Sequence, residues 1–195
     1  MLVERIRQHF IESINVKQSC YASLAPLIAT AANQMISALM NDAKILSCGN
    51  GGSAADAQHF AAEMLGRFEK ERPGLAALAL NTDTAALTAI ANDYDYDLIF
   101  SKQIRALGHR GDILLAISTS GNSANIVEAV RAAHERHMTV IALTGHNGGK
   151  LSESLSNNDI LLAVPCTRTA RIQETHILII HSLCDAIDFI LLDGE

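Results

Sequence analysis

Five short apolar runs, each of strand length and separated by helical segments, constrain this chain more than any other feature. They are KILSC (44–48), LAALAL (75–80), DILLAIS (112–118), MTVIAL (138–143) and DILLAV (159–164). Between them apolar residues recur at helical spacing over 53–66, 84–93 with 97–107, 122–136 and a short stretch near 149–155. A strand that is apolar throughout has no solvent face, so it belongs in a parallel sheet covered by helices on both sides. Right-handed crossovers then give a doubly wound α/β fold on a five-stranded parallel sheet. Residues 2–41 read as two helices forming an N-terminal extension, and a long helix from about Arg168 to Leu192 closes the chain. No linker or repeat divides the rest, so the 195 residues read as one domain, with the α/β sandwich over 44–195.

Hydrophobic residues make up 49% of the chain and charged ones 18%, which fits a globular protein and leads us to expect partner subunits over some apolar surface. A net charge of −6 argues against a broad basic face for nucleic acid. Cys20, Cys48, Cys166 and Cys184 show neither a CxxC pair nor zinc-ribbon spacing. The start, MLVERIRQHF, is charged and helix-like, unlike a signal peptide. The most apolar stretch, HILIIHSLCDAIDFILL, is interrupted by His181, Asp185 and Asp188 and falls short of the roughly 20 apolar residues of a membrane span. The expectation is a cytoplasmic protein with reduced thiols.

In such sheets ligands sit beyond the carboxyl ends of the strands. Two loops there are unusual: CGNGGS (48–53) after the first strand and STSGNS (118–123) after the third. Gly49-Asn50-Gly51-Gly52-Ser53-Ala54 fits a loose dinucleotide fingerprint, but that reading wants an acidic residue about 20 positions on. Here the second strand ends at Asn81-Thr82-Asp83, about 30 residues past the loop. A phosphate reading accounts for more. Ser53 is expected as an N-cap with Asp56 three residues on, and STSGNS offers hydroxyls and backbone N–H groups at a second helix start. Gly145-His-Asn-Gly-Gly-Lys150-Leu151 imitates a nucleotide P-loop, yet its spacing is short and Leu151 stands where a Ser or Thr is required.

His59 and Glu63 are four residues apart, on one face of the helix that the glycine loop opens. Imidazole plus carboxylate can form a metal pair; the isolated pattern is commonly a surface pair, and it gains weight here because the helix begins at the phosphate-type loop. The last helix carries Arg171, Gln173, Glu174, His176 and His181 among apolar residues, where polar groups need partners. Gln173 and His181 stand eight residues apart, about 12 Å along a helix. Either one ion lies between them or the site draws on more than one copy of the chain. The other histidines (His9, His109, His134, His137 and His146) sit in polar contexts and are read as solvated.

Taken together, CGNGGSAADAQHFAAE, TAIANDY, LLAISTSGNSANI, ALTGHNGGK and ARIQETHILIIH resemble the sugar isomerase (SIS) domain family, of flavodoxin-like fold, and within it the phosphoheptose isomerases. The resemblance runs along essentially the whole chain. It implies one zinc ion per subunit on His59, Glu63, Gln173 and His181. It implies sugar phosphate binding by Asn50, Gly51, Gly52, Ser53, Glu63, Asn92, Asp93, Ser118, Thr119, Ser120, Ser123 and Gln173. It also implies a cytoplasmic homotetramer converting D-sedoheptulose 7-phosphate into D-glycero-D-manno-heptose 7-phosphate, the first step of ADP-heptose biosynthesis for lipopolysaccharide. Such a ketose–aldose exchange needs an acid–base pair and stabilisation of an enediolate. Glu63 is the candidate base and His181 the candidate acid.

Two other classes compete. A relative in the same family associates with the replication initiator DnaA and resembles an isomerase lacking the catalytic carboxylate and the final histidine. Glu63 and His181 are both present here, which favours the enzyme. A sugar-phosphate sensor usually carries a further DNA-binding or kinase module, for which 195 residues leave no room.

Overall fold

In a computed structural model, which describes residues 1–193, each of the five runs forms a strand. They are β1 (Ile45–Gly49), β2 (Ala77–Ala79), β3 (Ile113–Ser118), β4 (Thr139–Gly145) and β5 (Ile160–Val164). All pairings are parallel and the order across the sheet is β2-β1-β3-β4-β5. β1 and β3 align Ile45 with Ile113 and Gly49 with Ile117. Around the sheet lie α1 (Leu2–Met40), α2 (Gly52–Leu65), α3 (Thr84–Asp93), α4 (Ile99–Leu107), α5 (Ala124–Glu135), α6 (Gly149–Glu153) and α7 (Thr169–Asp188). A 3-10 turn at Tyr96–Leu98 joins α3 to α4.

Successive strand residues point to opposite faces, and here both faces are apolar. Ile45, Ile113, Leu115, Ile117, Ile141 and Leu143 pack with residues of α1, α2 and α7. Leu46, Cys48, Leu114, Ala116, Val140 and Ala142 pack with residues of α4 and α5. At the amino ends, buried Asp112 accepts bonds from the Lys44 and His109 backbone N–H groups at 3.0 and 2.8 Å, and from Lys44 Nζ at 2.6 Å. This carboxylate ties β1 to the loop that enters β3. The four cysteines are free thiols.

Two expectations change. Residues 2–40 form one helix of 39 residues, not two. Proline in a helix interior removes a donor and crowds the preceding turn, but α1 continues through Pro26. Packing against α7 and β5 holds it, burying Leu24, Ala31, Ala32 and Met35. The apolar stretch in α7 is also less interrupted than its sequence suggests: by length and composition, α1 and α7 would each qualify to cross a bilayer. In the fold α7 is a core helix, with Ile172, Ile179, Ile180, Leu183 and Ile187 buried under the sheet.

His176, fully buried in α7, bonds through Nε2 to the Thr144 carbonyl at 2.9 Å. Because that carbonyl can only accept, Nε2 carries the proton. Burial pushes this imidazole down from 6.5 to about 4, opposed by the bond to Thr144. Unfolding exposes a ring that takes up a proton below its ordinary value, so the stabilisation is full above 6.5 and is lost as pH falls towards about 4. The drop across that window is of order 2–3 kcal/mol. Urea unfolding of wild type and His176→Gln between about pH 7 and pH 4.5 checks it, with a shallower pH dependence expected for the variant.

Candidate active site

The sheet order places the two unusual loops side by side. From β1 the chain crosses to β2 through α2 on one face, then returns over β1 to β3 through α4 on the other. The crevice at such a reversal is where doubly wound folds take ligands. The carboxyl ends of β1 and β3 flank it, and the loops leaving them open α2 and α5.

Asn50 anchors the first loop. Its amide and that of Asn125 donate to each other's carbonyl oxygens at 2.8 and 2.9 Å, and the Tyr96 hydroxyl donates to Asn50 Oδ1 at 3.2 Å. In the second loop the Ser118 and Ser123 hydroxyls are 3.2 Å apart, and the Asn122 N–H bonds to Ser120 Oγ. The P-loop imitation serves as a brace for that loop. Leu151 N–H bonds to the Gly121 carbonyl, Gly145 N–H to the Thr119 carbonyl, and Lys150 N–H to Asn122 Oδ1. Ser53 is not the helix cap. Gly51 takes that position, and Ser53 lies one residue inside α2, buried, with its N–H bonded to the Asn50 carbonyl. Asp56 makes no capping bond either; burial pushes its carboxyl up to about 6, partly offset by His59.

α2 packs against α7 on one face of the sheet. His59 Nε2 lies 2.9 Å from His181 Nε2 and 3.5 Å from Glu63 Oε1. The rings of His59 and Phe68 sit 5.1 and 5.6 Å from that of His181. Gln173, two turns before His181, covers the glycine loop so closely that a Cβ on Gly52 would lie 2.3 Å from its amide nitrogen. A single chain therefore brings His59, Glu63 and His181 together, with Gln173 at the loop end of the same helix. Beneath them Cys184 is held as a thiol, pushed up to about 12 by burial and then by the Glu63 and Asp188 carboxylates. Asn92 and Asp93 lie exposed at the end of α3 and bond to each other at 2.8 Å, while Tyr96 three residues on reaches the loop.

An N–H···N bond between two imidazoles requires one acceptor, so one Nε2 carries a lone pair. Two imidazoles, a carboxylate and an amide are donors that zinc accepts. Among the described residues, no three His, Cys, Asp or Glu donors converge on one point as placed.

Several participants escape sequence reading. Asn125 is the plainest, since an amide among apolar residues in the first turn of α5 signals a partner, and that partner is Asn50. Tyr96 and Phe68 gave no periodic signal. His134, read as solvated, is bonded to Asp159 at 2.7 Å.

Two loop glycines differ in what a side chain would do. Gly121 has φ +65°, and a Cβ there would fall 1.9 Å from the Gly148 carbonyl oxygen, a backbone atom that cannot step aside. Gly121→Ala is expected to cost about 2–3 kcal/mol in urea unfolding. Gly52 meets only the end of a flexible side chain. Gly52→Ala should lose less than about 1 kcal/mol, while a crystal structure of the variant shows the Gln173 amide displaced.

Comparison with known proteins shows the family and the fold. The SIS domain family matches residues 8–145. A phosphoheptose isomerase of Laribacter hongkongensis is 64% identical over 194 residues, covering 100% of this chain and 99% of that protein. One from Neisseria gonorrhoeae is 65% identical over 193 residues, covering 99% and 98%. Among solved structures, phosphoheptose isomerase GmhA from Neisseria gonorrhoeae superposes with a TM-score of 0.92 at 62% identity, covering 96% of this chain and 99% of that one. The Francisella tularensis enzyme gives 0.94 at 49% identity, covering 96% and 98%. With paired histidines and a carboxylate beside a glycine–serine crevice, and this likeness along its length, the chain belongs to the phosphoheptose isomerase family of SIS-domain proteins.

Proposed function

We propose that the protein isomerises D-sedoheptulose 7-phosphate to D-glycero-D-manno-heptose 7-phosphate, the first step of ADP-heptose biosynthesis for the lipopolysaccharide core. The observation that carries this is the approach of His59 to both Glu63 and His181 where α2, the helix that the glycine loop opens, packs against α7. The named relatives support it and give the initiator-associating alternative no support.

In this reading Ser53, Ser118, Thr119, Ser120 and Ser123, with Gly51 and Gly52, cradle the phosphate at the starts of α2 and α5, where helix dipoles favour an anion. Asn50, Asn92, Asp93 and Gln173 hold the sugar hydroxyls. Glu63 removes a proton from C1 while His181 delivers one to the carbonyl oxygen at C2, giving the enediol. Delivery of a proton to C2 and loss of the O1 proton completes the aldose, so the net change is one hydrogen moved from C1 to C2 and one from O1 to O2. His59, Glu63, Gln173 and His181 would hold zinc, which when bound supplies Lewis-acid polarisation of the carbonyl. Glu63 is 22% exposed in its side chain, open enough to reach substrate.

The functional unit is proposed to be a cytoplasmic homotetramer. Leu2, Val3, Ile6, Phe10, Ile11 and Ile14 are exposed along the first four turns of α1, more apolar side chain than one helix face leaves to water without a partner. Light scattering reads the assembly directly.

Turnover of sedoheptulose 7-phosphate by wild type is the deciding assay. Glu63→Gln and His181→Ala are each expected to lower kcat by at least about 100-fold, with metal content measured separately on each purified protein. A wild type inactive with and without added zinc overturns the assignment; full rate in both variants overturns the residue roles.

A further inference from the structure

The segment between α2 and β2 carries an arginine that no role above uses. Arg72 and Asp188 form an ion pair, Nε to Oδ1 at 2.5 Å, with side chains only 2% and 4% exposed. The rest of the guanidinium faces α2: Nη2 donates to the Glu63 carbonyl at 2.9 Å, and Nη1 to the Met64 carbonyl at 2.9 Å and the Pro73 carbonyl at 3.2 Å. Glu63 and Met64 lie in the last turn of α2, where carbonyls have no partner inside the helix. Asp188 ends α7. One buried group therefore grips the end of the helix bearing His59 and Glu63 and, through its ion pair, the end of the helix bearing His181. Four residues before Arg72, Phe68 lies beside the His181 ring, so both interactions issue from one short segment.

We propose that Arg72, with Asp188, is a positioning residue for the isomerisation, fixing the spacing between the Glu63 carboxylate and the His181 imidazole. This rests on the isomerase reading above. Arg72 touches the backbone of Glu63 and no reacting atom, so it acts through the placement of α2 on α7. The phosphate cradle is built by the loops after β1 and β3, at the opposite end of α2, and stands apart from the clamp. Disturbing the clamp should therefore cost catalysis more than binding.

The test compares Arg72→Met, Arg72→Lys and Asp188→Asn with wild type, each first shown folded by circular dichroism. Arg72→Met and Asp188→Asn are expected to lower kcat about 10- to 100-fold, as misplacement near 1 Å does, with KM for the sugar phosphate within about threefold. Arg72→Lys keeps the charge against Asp188 and can still bond one carbonyl, so it recovers part of the loss. A merely structural role predicts instead that kcat per folded molecule is unchanged, and that result overturns the proposal, as does a loss confined to KM. A crystal structure of Arg72→Lys or Asp188→Asn needs no turnover and separates the two readings. Imidazoles of His59 and His181 that have moved beyond hydrogen-bond distance support the clamp even where wild type fails to isomerise the heptose. The two rings still held at 2.9 Å overturn it.

Discussion

The reversal of strand order between β1 and β3 is the constraint on which the rest of the molecule depends. The connection through α2 covers one face of the sheet and the connection through α4 the other, so the loops after β1 and β3 diverge and leave a crevice. The two loops of the candidate site lie at that opening. The reciprocal amides of Asn50 and Asn125 join the two sides, and the loop of Gly145 to Leu151 supports the serine turn from behind. The imidazole pair is added from the side, where α7 lies on α2.

α7 has a double duty that explains its unusual composition. Toward the sheet it contributes Ile172, Ile179, Ile180 and Leu183 to the core. Toward α2 it presents Gln173 and His181, two turns apart. His176 belongs to neither group. Its Nε2 donates to a carbonyl at the end of β4, a structural bond between helix and sheet.

The parallel sheet was legible because a strand buried on both faces is apolar nearly throughout, as in KILSC and DILLAIS, where buried Ser47 is paired with the Ala57 carbonyl. The edge strand β2 is three residues long where the apolar run has six, and it pairs with β1 alone. The unity of α1 was not legible, since a proline weakens local helix preference and only tertiary packing restores it. In the site, His59 with Glu63 followed from helical spacing, and the glycine and serine loops from turn chemistry. Their union with His181 across 122 residues of chain rests on the resemblance and on the fold, not on any local pattern. Arg72 was illegible for a different reason: an arginine in a loop of charged residues, FEKERPG, reads as solvated until its burial is seen.

Because no two strands of this sheet are joined by a hairpin, each pairing waits for a crossover to be made. Ile45 of β1 finds Ile113 of β3 far along the chain, and the last helix supplies half of the histidine pair. Such non-local topologies fold slowly. During synthesis on the ribosome the glycine and serine loops emerge well before α7 does. A nascent chain can thus form the two loops early, but His181 meets His59 only once α7 has followed.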